Sequence, residues 1–287
     1  MWNDNAKKPI WSFLALTFLI AWVFEGILIV VEQFDIIHGL AGFIAVTMYR
    51  GITVAFAPAW AMLILLKKHG RIKGIRDFVH RLFKTESISK TIIIAVLFFT
   101  GYFVMIMLTG QFVGETWLHA LTAVAWLAAG IIGGGMEEPG WRGFLQPALD
   151  EKFPFILSAL IVGVIWAVWH IPGWFVQSIG QSYLNFISFT IYCIGLSFTM
   201  AALYKLTKNV FAVVLFHSWT NAVGGIFSMD IILYSPGFAL ITVTLIQIVI
   251  SVAIYIFVDK RKDVAKICVY RGECSDNFKL GTKTRNS

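Results

Sequence analysis

Eight stretches of roughly twenty residues in this chain are almost uninterruptedly apolar, and such stretches leave few folds open. They run Trp11–Val31, Ile44–Leu66, Thr91–Phe112, Thr116–Met136, Phe155–Gln177, Tyr183–Leu206, Val210–Ser228 and Gly237–Val258. A hydrocarbon core about 30 Å thick is crossed by about 20 residues of α-helix. In lipid every backbone N–H and C=O must be satisfied internally, so open sheets and lipid-exposed irregular chain are excluded. The expected fold is therefore all-α. It is a polytopic integral membrane protein of eight transmembrane helices, with residues 1–258 as one transmembrane domain and 259–287 as a basic cytoplasmic tail. Span 1 is too long for the apolar core of a signal peptide and no small-residue cleavage site follows it, so it is expected to stay as an anchor. Composition agrees: 58% of the 287 residues are hydrophobic and 14% charged, against about 25% charged in soluble domains. Disorder is excluded by 25 Phe and 11 Trp.

The net charge of +7 raises the question of nucleic acid, and the placement of the charges answers it. Between the spans, Glu32–Gly42, Gln111–Glu115, Ser178–Ser182 and Met229–Pro236 carry no Lys or Arg. The alternate segments hold 22 of the 23 basic residues: Lys7 and Lys8, eight in Lys67–Lys90, Arg142 and Lys152, Lys205 and Lys208, and eight from Lys260 to Arg285. Cytoplasmic loops retain such residues, so both termini are expected in the cytoplasm and no nucleic-acid partner is implied. Within Lys67–Lys90, Phe78, Val79, Leu82 and Phe83 alternate with Arg76, Arg81 and Lys84, which predicts a short amphipathic helix on the inner leaflet. The three cysteines, Cys193, Cys268 and Cys274, form no metal or disulfide pattern and are expected as free thiols.

Polar side chains within spans are costly, and each is a candidate functional group. They are few: Glu25, Arg50, Glu137 and Glu138 with Arg142, His170, and His217 with Asn221. Glu25 and Arg50 each lie about six residues from the outer end of their span, roughly 9 Å deep at 1.5 Å per residue, where they can form an ion pair. Around Glu137 the chain reads Gly133-Gly134-Gly135-Met136-Glu137-Glu138-Pro139-Gly140-Trp141-Arg142-Gly143. Three glycines and a proline predict a broken helix, and two adjacent carboxylates call for a shared proton or a compensating cation. His217 and Asn221 stand four apart and share a helix face. Two Glu, two His, an Asn and an Arg together suit a hydrolytic site with a water activator and oxyanion donors. No G-x-S-x-G elbow occurs, and Cys193 has no sequence-local activator.

At these positions the sequence resembles the CAAX-protease and bacteriocin-processing (CPBP) family, intramembrane proteases related to the type II CAAX prenyl endopeptidases. The motif of two Glu followed after three residues by Arg stands as Glu137-Glu138-Pro139-Gly140-Trp141-Arg142. The aromatic residue four before His is Trp166 before His170, where Phe is usual, and this exchange is expected to carry little functional cost. The third motif, His-x-x-x-Asn, is His217-Ser218-Trp219-Thr220-Asn221.

The resemblance implies an intramembrane endopeptidase in a prokaryotic plasma membrane. It would act within the lipid bilayer on a membrane-associated, lipidated or small hydrophobic peptide or protein substrate, for which a prenylated chain and a bacteriocin or signal prepeptide are options. By it, Glu137 would activate water and His170 would help position it. His217 and Asn221 would bind the oxyanion, while Glu138 and Arg142 would hold the geometry. No cofactor is favoured; the alternative is zinc, held by Glu137, His170 and His217, although HExxH is lacking. Other classes for such a chain are a non-proteolytic immunity or scaffold protein and a proton- or ion-coupled transporter. Counted from the inner boundary, Glu137 falls near depth zero, His217 about 10 Å deep and His170 about 22 Å deep. A shared site therefore requires span 4 to continue past Glu137 through Trp141–Leu149, around a cavity expected to be reached from the cytoplasmic side.

Overall fold

Apolar length alone sets most of the helices seen in the structure, a computed structural model that describes residues 9–35, 37–108, 127–226, 233 and 237–271. In chain order these are α1 (Ile10–Glu32), α2 (Gly39–Lys68), α3 (Ile75–Leu82), α4 (Ile88–Leu108), α5 (127–133), the broken segment α6 (135–150), α7 (Phe155–Trp169), α8 (Phe186–Thr207), α9 (Val210–Ile226) and α10 (Phe238–Arg271). There is no strand among the described residues. Six helical stretches are long and apolar enough to cross a bilayer: α1, α2, α4, Phe155–Phe175, α8 and Phe238–Val258. Val210–Gly224 is a shorter apolar helix. Most of the expected span Thr116–Met136 lies outside the described residues, as do Gln111–Glu115, much of Met229–Pro236, and Lys7 and Lys8. The last helix does not stop at 258; it continues without a break to Arg271, into the stretch expected as tail.

Two prolines shape the interior. Pro58 lacks an N–H, and its ring crowds the carbonyl four residues earlier. The chain answers with a π turn at Gly51–Ala55, so α2 stays continuous but locally widened beside Arg50. Pro147 follows a second π turn, Trp141–Leu145, in the same way. Before it come a 3-10 turn at Gly135–Glu137 and a single α turn at Glu138–Gly140. The break that the glycines and Pro139 predicted is thus present, and the apolar continuation beyond it is fully buried at Trp141, Phe144 and Leu145. The span does continue past Glu137, as a shared site requires.

The core forms where Phe13 of α1, Met62 and Leu66 of α2, the α6 segment, α7, α8 and α9 meet. Trp141 meets Phe13 edge-on at 5.9 Å between ring centroids, and Phe13 stacks on Phe144 at 4.7 Å. The outer faces carry exposed Leu19, Val96, Leu97, Leu160 and Val249, the apolar surface a helix presents to lipid. Between helices, small residues and hydroxyls permit close approach: Gly163 lies against the backbone of Ile194, and the Ser197 hydroxyl donates to the Ala159 carbonyl at 2.8 Å.

At one end of the bundle Asn209 ties the basic loop to α9. Its Oδ1 accepts from the Ala212 N–H at 2.6 Å, and its amide donates to the carbonyls of Phe83 and Lys84. Asp77, Arg81, Lys84, Tyr204 and Lys208 line one surface hollow there, so the loops expected on a common side do meet. The predicted amphipathic helix is α3, with Phe78 and Leu82 turned into the protein and Val79 and Phe83 exposed. Arg142 does not belong to that end. It is fully buried in the core, so counting it among the cytoplasmic markers is corrected: a basic residue that finds a buried carboxylate no longer reports topology.

Candidate active site

The broken segment α6 carries Glu137 into the core, where two other helices complete its surroundings. Glu137 Oε2 accepts the indole N–H of Trp166 at 2.6 Å and that of Trp141 at 3.4 Å. Both donors grip one carboxylate oxygen, and Oε1 has no hydrogen-bond partner among the described residues. Trp166 sits one turn before the end of α7, so the break at Gly134 sets the depth of Glu137 level with that turn rather than at the boundary. Trp166 also packs edge-on against the His217 ring, 5.2 Å between centroids.

Glu137, His170, His217 and Asn221 line one cavity of about 340 Å³. The four residues expected to act together are brought together. His170 follows the last residue of α7, and its Nδ1–H donates to the Trp166 carbonyl at 2.8 Å. A carbonyl only accepts, so a proton is on Nδ1, and in the neutral ring Nε2 carries a lone pair. The ring is fixed edge-on against Trp169 and Phe189.

His217 is held from behind. Its Nδ1 lies 2.8 Å from Glu138 Oε1, and Glu138 in turn receives Arg142 Nη1 at 3.1 and 3.0 Å on its two oxygens. All three side chains are buried. Glu138 and Arg142 do not line the cavity; they stand behind His217, the supporting position expected of them. The Arg142 guanidinium also lies over the Trp166 ring, 5.3 Å from its centroid. One expectation needs refinement. With its Nδ1–H given to Glu138, a neutral His217 presents a lone pair at Nε2 and becomes a donor there only as imidazolium.

The glycines have a direct role in this convergence. A Cβ built on Gly134 would start 3.0 Å from His217 Nε2 and closer still to Asn221 Nδ2, so the two side chains face the space that residue 134 leaves free. At Gly135 a Cβ would meet the Val214 carbonyl at 2.8 Å. Absent side chains let the 3-10 turn lie directly on α9.

The rest of the lining differs from expectation. Thr47, Arg50, Ile179, Gly180, Gln181 and Leu184 close the cavity, and no residue of the basic loop Lys67–Lys90 takes part. These residues belong to the end free of Lys and Arg apart from Arg50, so the expected approach from the basic end is not what the lining provides. Charge counts locate loops; they carry no information on where helices splay. Arg50 forms the ion pair foreseen with Glu25, Nε to Oε1 at 2.9 Å. Cys193 is a buried free thiol at the cavity wall; Cys268 and Cys274 lie where no side chain is described.

Sequence reasoning missed the donor role of Trp166 and Trp141. In the motif Trp166 stands as a large aromatic in place of Phe, yet an indole N–H beside a motif carboxylate is itself the signal. Among the described residues no three His, Cys, Asp or Glu side chains are grouped so as to hold a metal ion, and Glu137 Oε2 accepts two indole N–H groups.

With this geometry in view, comparison with known proteins adds a second line. Residues 118–223 match the family model described as Type II CAAX prenyl endopeptidase Rce1-like. Over these residues the chain is similar to that family. The match spans all the motif residues from Glu137 to Asn221. A CAAX prenyl protease 2 of Methanococcus maripaludis is 26% identical over 201 residues, covering 63% of this chain and 72% of the relative. The six bilayer-length helices and this similarity together support a multi-pass integral membrane protein.

Proposed function

We propose that the protein is an intramembrane endopeptidase that cleaves a membrane-associated, lipidated or small hydrophobic peptide with a water activated by Glu137. The observation that carries this reading is the Glu137 carboxylate, held on one oxygen by Trp166 and lining a single cavity with His170, His217 and Asn221. The relative's name makes a prenylated CAAX peptide one member of the substrate class; a bacteriocin or signal prepeptide is another.

A water donating its two hydrogens to Glu137 Oε1 and His170 Nε2 would have a lone pair aimed at the scissile carbonyl. As the C–O bond forms, Glu137 takes the water proton. The carbonyl oxygen becomes an oxyanion facing Asn221 Nδ2 and the His217 imidazolium, whose charge Glu138 balances through Nδ1. Collapse breaks the C–N bond, and the proton on Glu137 passes to the leaving amine. The pair of Glu138 with Arg142 keeps a counter-charge behind His217 without occupying the cavity.

The test is Glu137→Gln in detergent or nanodiscs against a panel of prenylated, acylated and unmodified hydrophobic peptides, read by mass spectrometry. Loss of a general base typically costs about 100–10,000-fold, so turnover of any cleaved peptide should fall by at least that lower figure. Undiminished cleavage by the variant would refute the role of Glu137. Ion flux in proteoliposomes with no cleavage would favour a transporter instead.

A further inference from the structure

We propose that Arg50 is a specificity residue of this cavity, binding a carboxylate on the peptide near the bond that is cut. The proposal rests on the peptidase reading above and adds which peptides the site selects. Arg50 ends the first half of α2, directly before the π turn at Gly51–Ala55, and its side chain reaches the same cavity as Glu137 and His170. A smaller adjoining hollow is lined by Glu25, Arg50, Trp169 and His170, which places Arg50 on the His170 side. Glu137 is anchored at Trp166, one helical turn earlier on α7.

A guanidinium held within a membrane protein must be compensated, and Glu25 does that. The manner of the pairing leaves capacity over. Arg–carboxylate pairs frequently engage two N–H groups with two oxygens. Here Glu25 Oε1 takes Nε alone, Glu25 Oε2 has no partner, and no other hydrogen bond to Arg50 occurs among the described residues. Glu25 is buried while the Arg50 side chain is 24% exposed, so Arg50 is the accessible member of the pair. Its base is fixed: the neighbouring Tyr49 hydroxyl donates to the Phe24 carbonyl at 2.8 Å and binds α2 to α1. The Nε bond to Glu25 holds the guanidinium at the cavity wall, and its two terminal amino groups form the fork that a carboxylate fits with two parallel bonds. Thr47 and Gln181 add neutral polar lining at this end.

A cavity of about 340 Å³ admits only a few residues of substrate. With about 3.3 Å of reach per extended residue, a carboxylate on Arg50 would therefore lie within a few residues of a carbonyl at Glu137. Two sources supply that chemistry: the free C-terminus of the peptide, or an Asp or Glu side chain beside the scissile bond.

The experiment uses one N-terminally acylated, fluorescent hydrophobic peptide of about ten residues in three forms: free C-terminal acid, C-terminal carboxamide, and carboxamide with a Glu near its C-terminus. Because Arg50→Gln alone strands a buried carboxylate, the variant is the pair Glu25→Gln/Arg50→Gln, with its melting temperature in detergent checked first. Binding of each form is measured on the Glu137→Gln chain with and without the pair, and kcat/KM on the corresponding Glu137 chains. A charge-assisted bidentate contact predicts that Arg50 favours an anionic form by about 10–100-fold, with the ratio falling to near one in the paired variant. Preference for the free acid alone assigns the chain terminus; recovery by the Glu-containing amide assigns the side chain. Equal binding of acid, amide and Glu-amide by the chain with Arg50, or a preference that survives the paired variant, overturns the proposal. Binding discrimination without any cleavage would leave Arg50 in place and count against the peptidase reading instead.

Discussion

Replacing Trp166 by Phe isolates one hydrogen bond at the centre of the site. The indole N–H reaches Glu137 Oε2 at 2.6 Å, while the ring packs on His217 at 5.2 Å and on His170 at 5.8 Å between centroids. Phenylalanine keeps an aromatic ring between the two histidines and under Arg142 but removes the donor. A hydrogen bond to a charged partner contributes about 1.5–3 kcal/mol, equivalent to about 10–100-fold in rate. Trp141, 3.4 Å from the same oxygen, is a long contact and offsets little of the loss. The expected result is a fall in kcat of about 10–100-fold, with KM changed far less, since Trp166 orients the base rather than the peptide. The assay is initial-rate cleavage of a peptide identified in the panel, in nanodiscs, with melting temperature followed in parallel. Trp141→Phe serves as the internal comparison and should cost less. Wild-type kcat in Trp166→Phe with the fold intact would refute the claim that the indole positions Glu137, and would restore the simpler view that any large aromatic suffices there.

Three further outcomes are expected. Gly134→Ala puts a methyl into the space faced by His217 Nε2 and Asn221 Nδ2, so kcat should collapse while the melting temperature changes little; normal turnover would show that this space is not used. Glu138→Gln leaves Arg142 buried without a counter-charge, a loss of about 3–5 kcal/mol that should appear as a drop of several degrees in thermal unfolding, and an unchanged melt would refute the pairing as a stabilising contact. Asn209→Ala removes the α9 cap and the ties to Phe83 and Lys84, costing about 0.5–2 kcal/mol in stability with unaltered peptide cleavage; intact stability would mean the loop is held by other contacts.

What was legible in the sequence was whatever depends on neighbours along the chain. Twenty apolar residues in a row specify a helix of bilayer length because the backbone has no other way to satisfy itself in lipid, and α1, α4 and α8 fall within a few residues of the expected limits. The glycine run and Pro139 announced the break before Glu137 for the same local reason. Motif spacing named Glu137, His170, His217 and Asn221, and scarcity of polar groups in the spans made them stand out. Their meeting was beyond it. Trp166 lies 29 residues from Glu137, and Glu138 lies 79 from His217, so whether they touch depends on how far the chain runs after Gly134 and on which faces of α7 and α9 pack against it. Arg142 shows the limit from the other side. Its charge reads as a topology marker until packing supplies Glu138 and makes it part of the core. Spans, breaks and candidate side chains follow from local composition. Depth, pairing and the end at which the cavity is lined are set by the packing of helices distant in the chain, because only contact fixes where a buried charge finds its partner.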